Sequence, residues 1–72
     1  MTPKEKQKRA LLIATTLKNL EQAKEQEGSW DKLAEILNIP KRNIMRWRKT
    51  KSISKANLRL VGLLLREEYK IR

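Results

Sequence analysis

The 72-residue sequence contains neither cysteine nor histidine. Their absence excludes disulfide staples, Cys/His zinc sites, thiol nucleophiles and imidazole acid–base catalysis together. The longest apolar run is the five residues Ala10-Leu11-Leu12-Ile13-Ala14, whereas a membrane span needs ~18–20 residues, and no apolar segment as long as a secretory leader requires follows the basic N-terminus. Aromatic residues are limited to two Trp and one Tyr, too few for an exposed row that stacks RNA bases. With only two Gly and two Pro, and no repeat or low-complexity tract, the chain has punctuation between helices but no linker between domains.

What the sequence has in excess is positive charge. Eighteen Lys and Arg against eight Asp and Glu leave a formal charge of +10, which points to a polyanionic partner, with nucleic acid the first candidate. The excess is concentrated. Residues 1–37 hold seven basic and six acidic residues, whereas residues 38–59 hold eight basic residues and no acid. Cations that crowded repel one another, and an anion facing them would relieve the repulsion. Glu21, Glu25, Glu27 and Glu35 are ordinary surface acids with no catalytic partner or ligand set beside them. No enzyme activity, cofactor, metal or small-molecule substrate is therefore expected.

The punctuation predicts one all-α domain over residues 1–72, a compact bundle of four helices. Thr2-Pro3-Lys4-Glu5 has the form of a capping box with Pro at the first helical position. A helix from Pro3 to about Glu27 would align Ala10, Ile13, Ala14, Leu17 and Leu20 on one stripe, with Leu11 and Leu12 off it and Gly28 as the stop. Ser29 can cap a second helix, Trp30 to about Leu37, that turns Leu33, Ala34 and Leu37 inward. Asn38-Ile39-Pro40 forms a tight turn into a third helix, Pro40 to about Lys49. On that helix Ile44 and Trp47 point to one side, while Arg42, Arg46 and Lys49 point to the other with Met45 at their edge. Ser52 or Ser54 can cap a fourth helix, about residues 55–69, with Leu58, Val61 and Leu65 on one stripe. Leu60, Leu63 and Leu64 fall outside that stripe and suggest either a sandwiched core or a self-association patch.

The segment Trp30–Lys49 resembles the helix-turn-helix of phage repressor and Cro-like transcription regulators. The resemblance rests on Leu33-Ala34, Leu37, the turn at Asn38-Ile39, then Ile44 and Trp47 at matching spacing. Ala34 is small where two helices would cross, while Ile39, Ile44 and Trp47 would lock the second motif helix onto the first. Two positions depart from the family: Asn38 stands where Gly is usual, and Trp30 where a phosphate-binding Gln often opens the motif. The family's frequent fifth helix is not expected in these 72 residues.

The resemblance implies a double-stranded DNA-binding transcriptional regulator whose third helix enters the major groove. Lys41, Arg42, Asn43, Met45 and Arg46 then take the base-reading positions, Arg being suited to the paired acceptors of guanine. Ser29, Trp30, Arg48, Lys49, Lys51, Ser52, Ser54 and Lys55, together with Thr50 and Arg59, would contact phosphates. A homodimer through Leu60, Leu63 and Leu64 would set two reading helices about one DNA turn apart. Such a protein is expected in the cytoplasm, associated with the nucleoid or, if phage-derived, in the host cell. Two other readings remain: a DNA-binding accessory protein for recombination, excision or packaging, and a basic module that docks on an acidic protein or anionic surface.

Overall fold

In the computed structural model, which describes residues 3–69, the chain forms α1 (Pro3–Glu27), α2 (Trp30–Leu37), α3 (Lys41–Thr50) and α4 (Lys55–Tyr69), with no strand among the described residues. Each break has a local cause. Gly28, at φ 93° and donating its N–H to Lys24 O at 2.8 Å, ends α1. Ser29 then turns extended and caps α2, its Oγ accepting the Lys32 N–H at 3.2 Å. Asn38 closes α2 in the left-handed conformation, φ 56°. The Asn38 N–H reaches Glu35 O and the Ile39 N–H reaches Ala34 O. These are the paired bonds of a Schellman termination, and Ile39 is buried behind them.

The third helix differs slightly from expectation. It begins at Lys41 because Pro40, with ψ 131°, is its N-cap and not its first helical residue. Pro40 still contributes the first acceptor, its carbonyl receiving the Asn43 and Ile44 N–H groups. Of the two serines available to cap α4, Ser54 serves: its carbonyl accepts from Leu58 N–H at 2.8 Å and its Oγ from Asn57 N–H at 3.4 Å. The capping box proposed around Thr2 lies outside the described residues.

One core joins all four helices: Ile13, Leu20 and Ala23 of α1, Leu33, Ala34 and Leu37 of α2, Ile44 and Trp47 of α3, and Val61 and Leu65 of α4. Ile39 and Ile53 plug it from the two connecting segments. The buried stripe of α1 runs through Ile13, Thr16, Leu20 and Ala23, whereas Ala10 and Ala14 are exposed. The predicted stripe is thus corrected in two ways. It is rotated toward Thr16, and it starts only at Ile13, since none of the first ten residues of α1 is fully buried. A 25-residue helix extends ~38 Å at 1.5 Å per residue, which matches the 38 Å long axis of the molecule. At the other end Tyr69 Oη donates to Glu27 Oε1 at 3.1 Å and ties α4 to α1. Among the described residues no helix is long and apolar enough to cross a membrane.

Candidate nucleic-acid interface

α3 owes its orientation to two side chains. Ile44 is fully buried and Trp47 nearly so, and both pack into the core beside Leu33, Leu37 and Ile39. With that side fixed, ~100° per residue places every other side chain of the helix. Arg42, Arg46 and Lys49 fall roughly 140–200° around from Ile44, and all three are exposed. Lys41 and Arg48 fall only roughly 40–60° from Ile44, on the flank that faces the earlier helices.

The two sets of cations meet different surroundings. Lys41 Nζ lies 3.1 Å from Asp31 Oδ1 in the first turn of α2. Arg48 Nη2 lies 3.5 Å from Glu21 Oε1 of α1, and its guanidinium carbon sits 4.5 Å from the centre of the Trp30 ring. Arg48 is thereby a strap across α1, α2 and α3. Arg42, Arg46 and Lys49 have no carboxylate partner among the described residues.

The remaining candidates fall around this outward face. Asn43 is half-buried on one flank, and Met45 is half-buried on the other, packed against the core. Met45 lines a shallow hollow with Leu17 and Glu21 of α1, so most of its surface serves the α1–α3 contact. Thr50 Oγ1 donates to Arg46 O at 2.9 Å, and Lys51 ends the helix in the left-handed conformation, φ 54°. Lys51, Ser52, Ser54 and Lys55 follow, all exposed, and extend the cationic surface from the end of α3 to the start of α4. Ser29 and Trp30 lie at the start of α2, the first engaged as a cap and the second half-buried under Arg48. Arg59 is exposed on α4 one turn beyond Lys55, and both border a groove between α1 and α4.

Of the three leucines proposed for self-association, Leu64 is half-buried against the core, whereas Leu60 and Leu63 are exposed. Glu21, read from the sequence as an ordinary surface acid, and Asp31 are the partners that occupy two of the α3 cations. Helix positions alone signal none of this, because Glu21 and Arg48 are 27 residues apart. In the described residues no group of three or more acidic side chains could hold a metal ion. Compared with known proteins, the chain matches no family model, no curated protein and no solved structure.

Proposed function

We propose that this chain is a sequence-specific double-stranded DNA-binding regulator of repressor or Cro type, without catalytic activity, and that α3 lies in the major groove of its site. The observation that supports this most is the split of the α3 cations. Arg42, Arg46 and Lys49 project from the side of α3 opposite Ile44 and Trp47 with no carboxylate partner among the described residues, while Lys41 and Arg48 are occupied by Asp31 and Glu21. A row of uncompensated cations on a short amphipathic helix, held by a rigid turn against a second helix, suits a duplex groove.

Within this proposal Arg42 and Arg46 read bases, each able to donate two hydrogen bonds to guanine O6 and N7. Asn43 and Met45 reach the groove walls from the two flanks. Lys49, Lys51, Ser52, Ser54 and Lys55 contact phosphate and set register without reading sequence. Lys41 and Arg48 stay with Asp31 and Glu21 and close the joint between the helices. Leu60 and Leu63 form a two-fold contact between copies, so the site is an inverted repeat with half-sites roughly 34 Å apart. The workplace of such a regulator is the compartment that holds the DNA.

The test is fluorescence anisotropy on a pool of labelled duplexes across a salt series, with single-stranded DNA, duplex RNA and heparin as competitors. A duplex preference with an enriched sequence that persists at higher salt supports the proposal, and the spacing within that sequence reports the dimer. If heparin and RNA compete as well as DNA and no sequence enriches, the surface is a general polyanion binder and the proposal fails.

A further inference from the structure

Away from α3, the N-terminal half of α1 and one side of α4 enclose a groove of about 600 Å³. Its floor includes Leu12, Leu58 and Gly62. Leu12 is 54% exposed. Five cations stand around this floor, Lys8, Arg9, Lys55, Arg59 and Arg66, against the single acid Glu5. None of the five has a carboxylate partner among the described residues.

Gly62 gives a second, independent sign. It lies in the middle of α4, and a Cβ built on it would meet nothing within 4 Å. Its φ is not positive, so no backbone conformation requires glycine, and no neighbour in the chain requires the missing side chain. Glycine inside a helix is unfavourable relative to alanine. Tolerating it where the domain has free space is accounted for by a backbone that approaches from outside.

We infer that the α1–α4 groove receives an amphipathic helix of another protein, with leucine-type residues on one face and Glu or Asp on both flanks, crossing α4 at Gly62. The dimensions suit it. From Lys55 to Arg66 the α4 wall extends roughly 16 Å, about three turns of an occupying helix. Docking an apolar helical face into such a groove is a common recognition mode. Charge decides among occupants: a second copy of this chain would bring the same five cations to the contact, and like charges facing each other are penalised. An acidic helix offsets them. It would also pack on Leu12, which the groove leaves largely uncovered.

The experiment uses the full chain and a synthetic acetylated helix-forming peptide of about 16 residues, with Leu at helical spacing and Glu on both flanks. A scrambled peptide of the same composition and a Lys-for-Glu version are the controls. Binding is followed by anisotropy, and the contact is mapped by amide chemical shifts. Expected is micromolar binding that perturbs Leu12, Leu58 and Gly62, at least tenfold weaker for the scrambled peptide and absent for the Lys version. Gly62→Leu should abolish it while the chain stays folded, since the added side chain enters open space. Gly62→Ala should raise Tm by several degrees yet weaken the peptide at least threefold. Equal binding of the scrambled peptide would overturn the inference, as would perturbations centred on α3. Self-association in sedimentation that Gly62→Leu abolishes but the double variant Leu60→Ser, Leu63→Ser leaves intact would overturn it in favour of a second copy in the groove. Gly62→Leu-sensitive binding to vesicles of phosphatidylglycerol, with none to the Glu peptide, would overturn it in favour of a lipid surface.

Discussion

The seam where α3 meets α1 and α2, and the outward side of the same helix, carry the same residue types in opposite circumstances. On the seam, Lys41 and Arg48 each meet a carboxylate, and Arg48 also lies over Trp30. On the outside, Arg42, Arg46 and Lys49 meet solvent. The seam cations are explained by the fold: they close the joint between helices and lose part of their repulsion to Asp31 and Glu21. The outer cations receive no such explanation. Three positive charges within eight residues, and Lys51 and Lys55 directly after them, destabilise the free domain modestly through mutual repulsion. A region that the fold neutralises and a region that it leaves bare, on one ten-residue helix, separate structural from functional charge more sharply than total charge can.

The largest effect that probes this division comes from the side both regions depend on. Ile44 is fully buried, and Ile44→Ala should lose about 2–5 kcal/mol. A single core in a domain of this size rarely supplies more than about 3–5 kcal/mol, so the variant should be largely unfolded at 25 °C by far-UV circular dichroism. Arg46→Ala should stay within about 0.5 kcal/mol of the parent in urea denaturation. Comparable destabilisation by Arg46→Ala would erase the distinction between the two sides of α3.

Next in size is the effect of the outer side on binding. Arg46→Ala should weaken a preferred duplex by about 1–3 kcal/mol, or about 5- to 150-fold, and random duplex by clearly less. Competition anisotropy on the two duplexes gives both numbers. The proposal for Arg46 does not survive equal losses on both, since a phosphate contact would behave that way.

The helical framework was legible in the sequence because its punctuation is chemical. Gly28, Ser29, Asn38 and Pro40 each do at the helix ends what their backbone and side-chain preferences dictate. The periodicity that turns Ile44 and Trp47 inward also placed Arg42, Arg46 and Lys49 outward. Other features were not legible, for physical reasons. Ile53 is 1% exposed but sits between Ser52 and Ser54 in a connection, where no helical period marks it. Ala10 and Ala14 share a stripe with Ile13, yet the buried side of α1 is rotated toward Thr16, which depends on where the partner helices lie. The pairs Arg48–Glu21 and Lys41–Asp31 depend on how helices cross, which spacing along the chain does not encode.

On the seam the expected effects are smaller and fall on stability. Arg48→Ala removes a cation over an indole, about 0.5–1 kcal/mol, and a solvent-exposed ion pair worth less than about 1 kcal/mol. A loss of roughly 1 kcal/mol should lower Tm by about 4–8 °C, with duplex affinity nearly unchanged once the fraction folded is accounted for. A large specific loss of duplex affinity would move Arg48 to the functional side. Tyr69 offers an uncharged counterpart, since its hydroxyl joins α4 to Glu27. Burial, then the hydrogen bond and the charge of Glu27, with Glu68 adding to it, push its pKa from 10.0 to about 12. The fold therefore favours the neutral phenol. Its contribution is complete below pH 10 and is lost as pH rises through about 12. Tyr69→Phe should cost about 0.5–1.5 kcal/mol at neutral pH and should flatten the decline in stability between pH 10 and 12, measured by urea denaturation.

The smallest effect separates the two regions by sign. Lys51 ends α3 with φ 54° and ψ 40°, a conformation that a side chain with a Cβ adopts at a cost of roughly 1–2 kcal/mol and glycine adopts freely. Part of that gain is offset by the greater freedom of glycine in the unfolded chain. Lys51→Gly should therefore raise stability by up to about 1 kcal/mol while removing one outer cation. If that cation meets phosphate, affinity falls equally for preferred and random duplex, and the slope of log K against log salt decreases in magnitude by about 0.9. Stability and affinity then move in opposite directions in one variant. Were affinity to rise with stability and the salt slope to stay the same, Lys51 would belong with Lys41 and Arg48 as a charge that serves the fold, and the cationic surface would end at Lys49.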